Sequence, residues 1–311
     1  MALAGSEKRK AMKYFLYLSI FLSIAADPAI ALAQSSQSGR DQSLKRVIDT
    51  CVLRIDYLFV RAVDTVSGQR YRDHRRLEVG GRYTRDYSLF ADRSDSLAFE
   101  AYRKNADAGV DLYGWLRPEE RGFCEDYYMD YPRKGLLTAS LCIVNTEYRY
   151  SEPIPRIDWK LHADSTRRIL GYACQLATAE FRGRRWSVWF TPEIPLSRGP
   201  WKLGGLPGLI LQACDEAGLF GFEATGVELG RNHPIHIYDE KAQPSGRGSG
   251  MQIRQTTRDR VRMLQSLFWK DPVALNEMHG VVSAIRDASG RTVIQKRGAV
   301  QRPYIPPLEL E

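Results

Sequence analysis

The stretch Gly199-Pro200-Trp201-Lys202-Leu203-Gly204-Gly205-Leu206-Pro207-Gly208-Leu209-Ile210-Leu211 packs more backbone-restricting residues against apolar surface than any other part of the chain. Pro200 and Pro207 fix their own φ and push the preceding residues toward extended geometry. Gly204, Gly205 and Gly208 permit the positive φ that a tight reversal needs. Leu209-Ile210-Leu211 is a short apolar run bounded by turn signals, which reads as a strand covered on both faces. The segment thus predicts a shaped turn feeding a buried strand. A phosphate-cradling loop fits poorly, because the Gly-Lys-Ser/Thr ending and the following helix are missing and Pro207 removes an amide.

The hexapeptide Gly205-Leu206-Pro207-Gly208-Leu209-Ile210 resembles the motif that names the GLPGLI family, exported proteins of Gram-negative bacteria with no established molecular function. The flanks follow the same order: Gly171-Tyr172-Ala173-Cys174-Gln175, Phe181-Arg182-Gly183-Arg184, residues 186–194 and Gly199-Pro200-Trp201-Lys202. Weaker similarity reaches Asp86-Tyr87-Ser88 with Asp95-Ser96-Leu97, and Tyr304-Ile305-Pro306-Pro307-Leu308-Glu309. The resemblance implies export and brings no catalytic residues.

At the start of the chain, Lys8, Arg9, Lys10 and Lys13 precede an apolar run over residues 14–26, and Ala31-Leu32-Ala33 supplies small residues where a signal peptidase reads. This reads as a secretory signal peptide cleaved near Ala33, giving a periplasmic or secreted protein. The run of about 13 residues falls short of the roughly 20 that span a bilayer as a helix, so no transmembrane segment is expected in the mature chain. Removing residues 1–33 takes away four basic and two acidic side chains, leaving a net charge of about +6. The basic residues are scattered without a dense cluster or a nucleic-acid module, so nucleic acid is not an expected partner. Five cysteines, Cys51, Cys124, Cys142, Cys174 and Cys214, allow at most two internal bridges, with pairing open; Cys124 and Cys142 flank an expected hairpin. Structural roles or buried thiols are the expectation for all five.

The remaining chain reads as mainly β, of α+β type: a large twisted antiparallel sheet, with a half-barrel as its most curved form, carrying one or two C-terminal helices. Residues 34–240 form the antiparallel domain containing the motif, and residues 241–311 a flexible loop, helices and a Pro-rich tail packing on that domain. Leu53, Ile55, Tyr57 and Phe59 alternate with polar residues in an opening strand. A hairpin is expected over residues 76–90 and a short helix over 96–105. Arg182-Gly183 joins two further strands, as does Asp215-Glu216-Ala217-Gly218. Thr257 reads as the cap of a helix with Val261, Leu264, Leu267 and Phe268 on one face, and Asp271-Pro272 as the start of another that ends at Gly280.

Chemistry is harder to find. The nucleophile elbow, the zinc-protease helix motif and the dinucleotide and kinase signatures are all missing. His233 and His236 with Asp239 and Glu240 are the best metal candidates, a weak set because Pro234 breaks a shared helical face and a strand would set the histidines on opposite sides. The paired carboxylates Glu119-Glu120 do acid and base work only if folding puts them in a cleft. Trp186, Trp189 and Trp201 are the candidate apolar ligand face. The reading is a non-enzymatic envelope protein with no cofactor, binding an apolar small molecule or lipid or another envelope protein. Its rivals are a hydrolase with a non-local, metal-dependent site and an accessory subunit of an outer-membrane transport system.

Overall fold

In the computed structural model the described residues are 42–104, 117, 119–120, 122–144, 146–229, 232–239, 252–280, 283–286, 291–298 and 307–311. The expected signal peptide, the glycine-rich loop at 244–250, Glu240 and the tail around Tyr304 and Ile305 lie outside them.

A 3₁₀ turn at Gln42–Leu44 leads into β1 (Lys45–Ala62), β2 (Arg70–Gly80) and β3 (Thr84–Ser88). Helix α1 (Leu89–Lys104) follows, then β4 (Glu125–Met129), β5 (Leu136–Ile143), β6 (Thr146–Pro153), β7 (Lys160–Ile169), β8 (Tyr172–Phe181), β9 (Arg184–Thr191), β10 (Leu209–Asp215), β11 (Phe220–Leu229) and β12 (Pro234–Tyr238). The chain continues through β13 (Gln252–Gln255), α2 (Arg258–Lys270), α3 (Pro272–Met278) and the small hairpin of β14 (Ala284–Arg286) and β15 (Thr292–Ile294).

Thirteen strands form one sheet in the order β13-β6-β5-β4-β3-β2-β1-β11-β10-β9-β8-β7, with β12 also on β1. Every pairing is antiparallel except β13 with β6. The ends β7 and β13 do not pair, so among the described residues the sheet is not closed into a barrel. Two meanders meet at β1, whose start (Lys45 to Thr50) pairs with β12 and whose remainder lies between β2 (from Cys51 to Ala62) and β11 (from Leu53 to Arg61). Short turns dictate this arrangement, because antiparallel neighbours need only a tight reversal. At Arg182 and Gly183 both φ values are positive, 54° and 73°, as a two-residue turn matched to strand twist requires.

The sheet's inner face carries one continuous core. Ile55, Tyr57 and Phe59 of β1 meet Phe220, Phe222 and Ala224 of β11 and Trp186, Val188 and Phe190 of β9, and burying each such large side chain stabilises the fold by about 1.5–3 kcal/mol. Phe59 stacks on Phe222 with ring centroids 4.5 Å apart. Helix α2 lays Val261, Leu264 and Phe268 against this core, and the Thr257 hydroxyl accepts from the Arg260 amide at its start. Asp271 caps α3 through the Ala274 amide at 3.0 Å.

The helix expected over 96–105 begins earlier, at Leu89. The Ser88 hydroxyl accepts from the Ala91 amide at 3.0 Å, which satisfies a first-turn donor and ends β3 there. β5 and β6 are divided by a turn at Val144, where φ is 56°. A disulfide joins Cys124, just before β4, to Cys142 on the neighbouring β5; Cys51 and Cys174 are buried free thiols and Cys214 an exposed one.

Candidate functional site

Between β9 and β10 the chain makes a long excursion, residues 192–208, that folds back over the inner face of the sheet. Its return is fixed by close backbone approach. A Cβ on Gly208 would lie 2.1 Å from the Thr191 carbonyl oxygen and 2.6 Å from its carbon, so only glycine fits where the loop crosses the end of β9. The Leu209 amide donates to the Ile194 carbonyl at 3.1 Å and the Ile210 amide to the Arg198 carbonyl at 3.0 Å. Gly205 has φ +88°, the left-handed region that a side chain occupies only at a cost. A register shift between Ile210 and Gln212 frees the Ile210 carbonyl, and the buried Tyr57 hydroxyl donates to it at 2.6 Å. Leu203, Leu206, Leu209 and Ile210 are buried while Pro207 is exposed. The hexapeptide is therefore a turn and a sequestered strand.

Polar contacts pin the excursion at four places. The Trp159 indole N–H donates to the Gly204 carbonyl at 2.8 Å. Arg198 pairs with Asp130 at the β4–β5 turn. The Trp201 amide donates to Asp86 Oδ2 at 3.3 Å. Lys202, only 1% exposed, places Nζ 2.9 Å from the Tyr150 hydroxyl, 2.7 Å from Glu152 Oε1 and 2.6 Å from Glu309 Oε1. Arg182 donates to Glu152 at 2.8 Å and Arg258 to Glu309 at 2.7 Å, so two carboxylates lie among three cations. Burial opposes the charge on Glu309; Lys202 and Arg258 outweigh it and hold the carboxyl below its usual range. A buried ammonium is stable only when paired in this way.

Beside the excursion is a cleft of about 490 Å³, within the range typical of small-molecule sites. Residues 154–161, which lead into β7, form one wall and residues 197–207 the other. Ile154, Ile157, Trp159, Leu161, Leu203 and Leu206 supply its apolar part, and Arg156, Asp158, Arg198 and Lys202 make the rest of the lining polar and charged. The Lys202 ammonium is held by Tyr150, Glu152 and Glu309, none of which lines the cleft.

The tryptophans proposed as a ligand face sit apart. Trp186 and Trp201 are 0% and 2% exposed, with ring centroids 5.7 Å apart. Trp189 lies on the opposite face of β9, half-buried under the Arg167 guanidinium at 4.1 Å. His233 is exposed just before β12 and His236 is half-buried on it. Burial, with Lys45 and Arg85 nearby, keeps the His236 imidazole neutral to lower pH than usual. Asp239 pairs with Arg46 at 3.3 Å. Among the described residues no group of three or more His, Cys, Asp or Glu side chains is placed to hold a metal ion. Glu119 and Glu120 do not line the cleft. Sequence reasoning missed Trp159, Arg198 and the Lys202 partners, whose signal is weak because they lie in separate segments of the chain.

No described helix is long and apolar enough to cross a membrane. No curated protein matches the chain in sequence. Among solved structures, PNGF-II in its P21 and C2 crystal forms is 17% and 19% identical, with TM-scores of 0.40 and 0.41 over 72% of this chain. The chain spans about a third of PNGF-II, 34% and 33% in the two forms. An uncharacterised conserved protein from Thermus thermophilus is 9% identical, with a TM-score of 0.31 over 66% of this chain and 91% of its own. Residues 182–212, which hold the Arg182-Gly183 turn, β9, the excursion and the start of β10, match a family model described as a protein of unknown function (Porph_ging).

Proposed function

We propose that this chain is an exported envelope protein of the GLPGLI type that binds an apolar or amphipathic small molecule without transforming it, and that the cleft beside the excursion is its seat. The observation that carries this reading is the cleft itself: about 490 Å³, walled by Trp159, Leu161, Leu203 and Leu206 and shaped by the motif loop. Burying apolar ligand surface there supplies the driving force, and Arg156 at the cleft orients a polar end. Export is supported by the basic and apolar leader in residues 8–33 and by the resemblance of residues 205–210 to the family motif.

The test uses Leu161, which lines the cleft and is 48% exposed, so that Leu161→Glu alters the site without disturbing the core. Wild type is expected to bind the fluorescent apolar probe 1-anilinonaphthalene-8-sulfonate at one site per chain. Leu161→Glu is expected to weaken that binding about tenfold, since desolvating a carboxylate against an apolar ligand is unfavourable. Equal binding by both proteins sinks the proposal.

A further inference from the structure

The alternation of β1 places residues 55, 57, 59 and 61 on the core face of the sheet. The first three are Ile, Tyr and Phe; the fourth is Arg61, 7% exposed. Its guanidinium carbon lies 5.2 Å from the Phe123 ring centroid, 5.2 Å from Trp269 and 5.8 Å from Phe220. Among the described residues it has no carboxylate within ion-pair distance, and its buried Nε makes no hydrogen bond. Each of the other buried cations holds a carboxylate: Arg75 holds Asp86, Arg85 holds Asp126, Arg149 holds Glu147, Arg184 holds Asp215 and Lys202 holds Glu152 and Glu309.

Aromatic faces attract a guanidinium but leave the buried Nε–H of Arg61 without an acceptor, and a buried charge without a counter-ion is unfavourable. Burial pulls the Arg61 pKa down, and the neighbouring Arg184 adds to this while Glu125 opposes it. The Glu125 carboxylate is held by the Tyr127 hydroxyl at 3.1 Å and Gln265 at 3.2 Å. The cation therefore lacks a fixed anion of its own.

We infer that Arg61, with Phe123, Trp269 and Phe220 around it, is a binding site for an organic carboxylate with an apolar body. The fork of guanidinium donors matches a carboxylate's two oxygens, and the rings suit an apolar body better than a strongly hydrated phosphate. None of these residues lines the cleft, so this site stands or falls independently of the function proposed above.

The probe is benzoate, compared at constant ionic strength with benzyl alcohol, which has the same ring without the charge. At about tenfold over its Kd, benzoate is expected to raise the wild-type Tm by roughly 3–5 °C, and benzyl alcohol by much less. The apolar variant Arg61→Met is expected to melt higher than wild type without ligand and to show no benzoate shift. In the wild-type protein, the ¹⁵N-resolved Nε–H signal of Arg61 is expected to move with benzoate, a readout that stands even if the variant fails to fold. An equal response to both probes, a benzoate shift retained in Arg61→Met, or an Arg61 signal unmoved by benzoate each overturns the inference.

Discussion

Replacing Gly208 by alanine isolates what the motif does. A Cβ there would meet the Thr191 carbonyl oxygen at 2.1 Å, its carbon at 2.6 Å and the Pro192 Cα at 3.0 Å. All three are backbone atoms, so no rotamer change relieves the contact; either β9 or the excursion must move. Overpacking costs about 1–3 kcal/mol, and a clash with backbone belongs at the upper end, about 3 kcal/mol. Gly205→Ala has room, with only Trp159 Nε1 at 3.7 Å, and costs about 1–2 kcal/mol through its positive φ alone. Gly81→Ala meets nothing within 4 Å and has no positive φ, so it is expected to be neutral or stabilising by about 0.5 kcal/mol. Urea unfolding of the three variants with unchanged m-values gives the ranking directly; the Gly208→Ala loss corresponds to a Tm drop of about 6–12 °C. If Gly208→Ala costs no more than Gly205→Ala, the close crossing at Thr191 is not what makes that glycine necessary.

Two further perturbations probe the buried charges. Lys202→Met leaves Glu152 and Glu309 without their shared cation and is expected to cost about 3–5 kcal/mol. Adding Glu309→Gln is expected to recover part of that loss, and strictly additive effects in the double-mutant cycle would refute the pairing. Asp73 is enclosed between the Ser88 hydroxyl and the Phe123 amide, and burial raises its pKa to about 7 despite Arg75. The folded chain thus keeps this proton up to about pH 7, while the unfolded chain releases it near pH 4. Its contribution to stability therefore falls as pH rises across that window, by up to about 1.4 kcal/mol per unit. The stability difference between wild type and Asp73→Asn, followed by urea unfolding from pH 4 to 8, is expected to change with that slope; a flat difference means Asp73 is already ionised.

Local chemistry made much of this fold legible. Gly183 and Gly218 mark reversals, Thr257 and Asp271 open helices, and the alternation of Leu53, Ile55, Tyr57 and Phe59 names one face of β1. Long-range choices were not legible. Nothing local says that β1 pairs with β12 as well as β11, or that β13 adds in parallel beside β6. The tryptophans illustrate the limit: alternation sets Trp186 and Trp189 on opposite faces of β9, but only the returning excursion puts Trp201 against Trp186 and closes that side. Lys202 looks like an ordinary surface lysine until Glu152 and Glu309 arrive from separate segments. The cleft has the same character, because Trp159 and Gly204 meet through one hydrogen bond between distant stretches of chain.

Native mass spectrometry tests the cleft most directly, on protein purified from its own host without detergent exchange, wild type beside Leu161→Glu. The expected result is a bound apolar or amphipathic small molecule at one per chain in wild type, lost or strongly depleted in the variant. Bare protein mass in both, or equal occupancy in both, contradicts the assignment of the cleft as a binding seat.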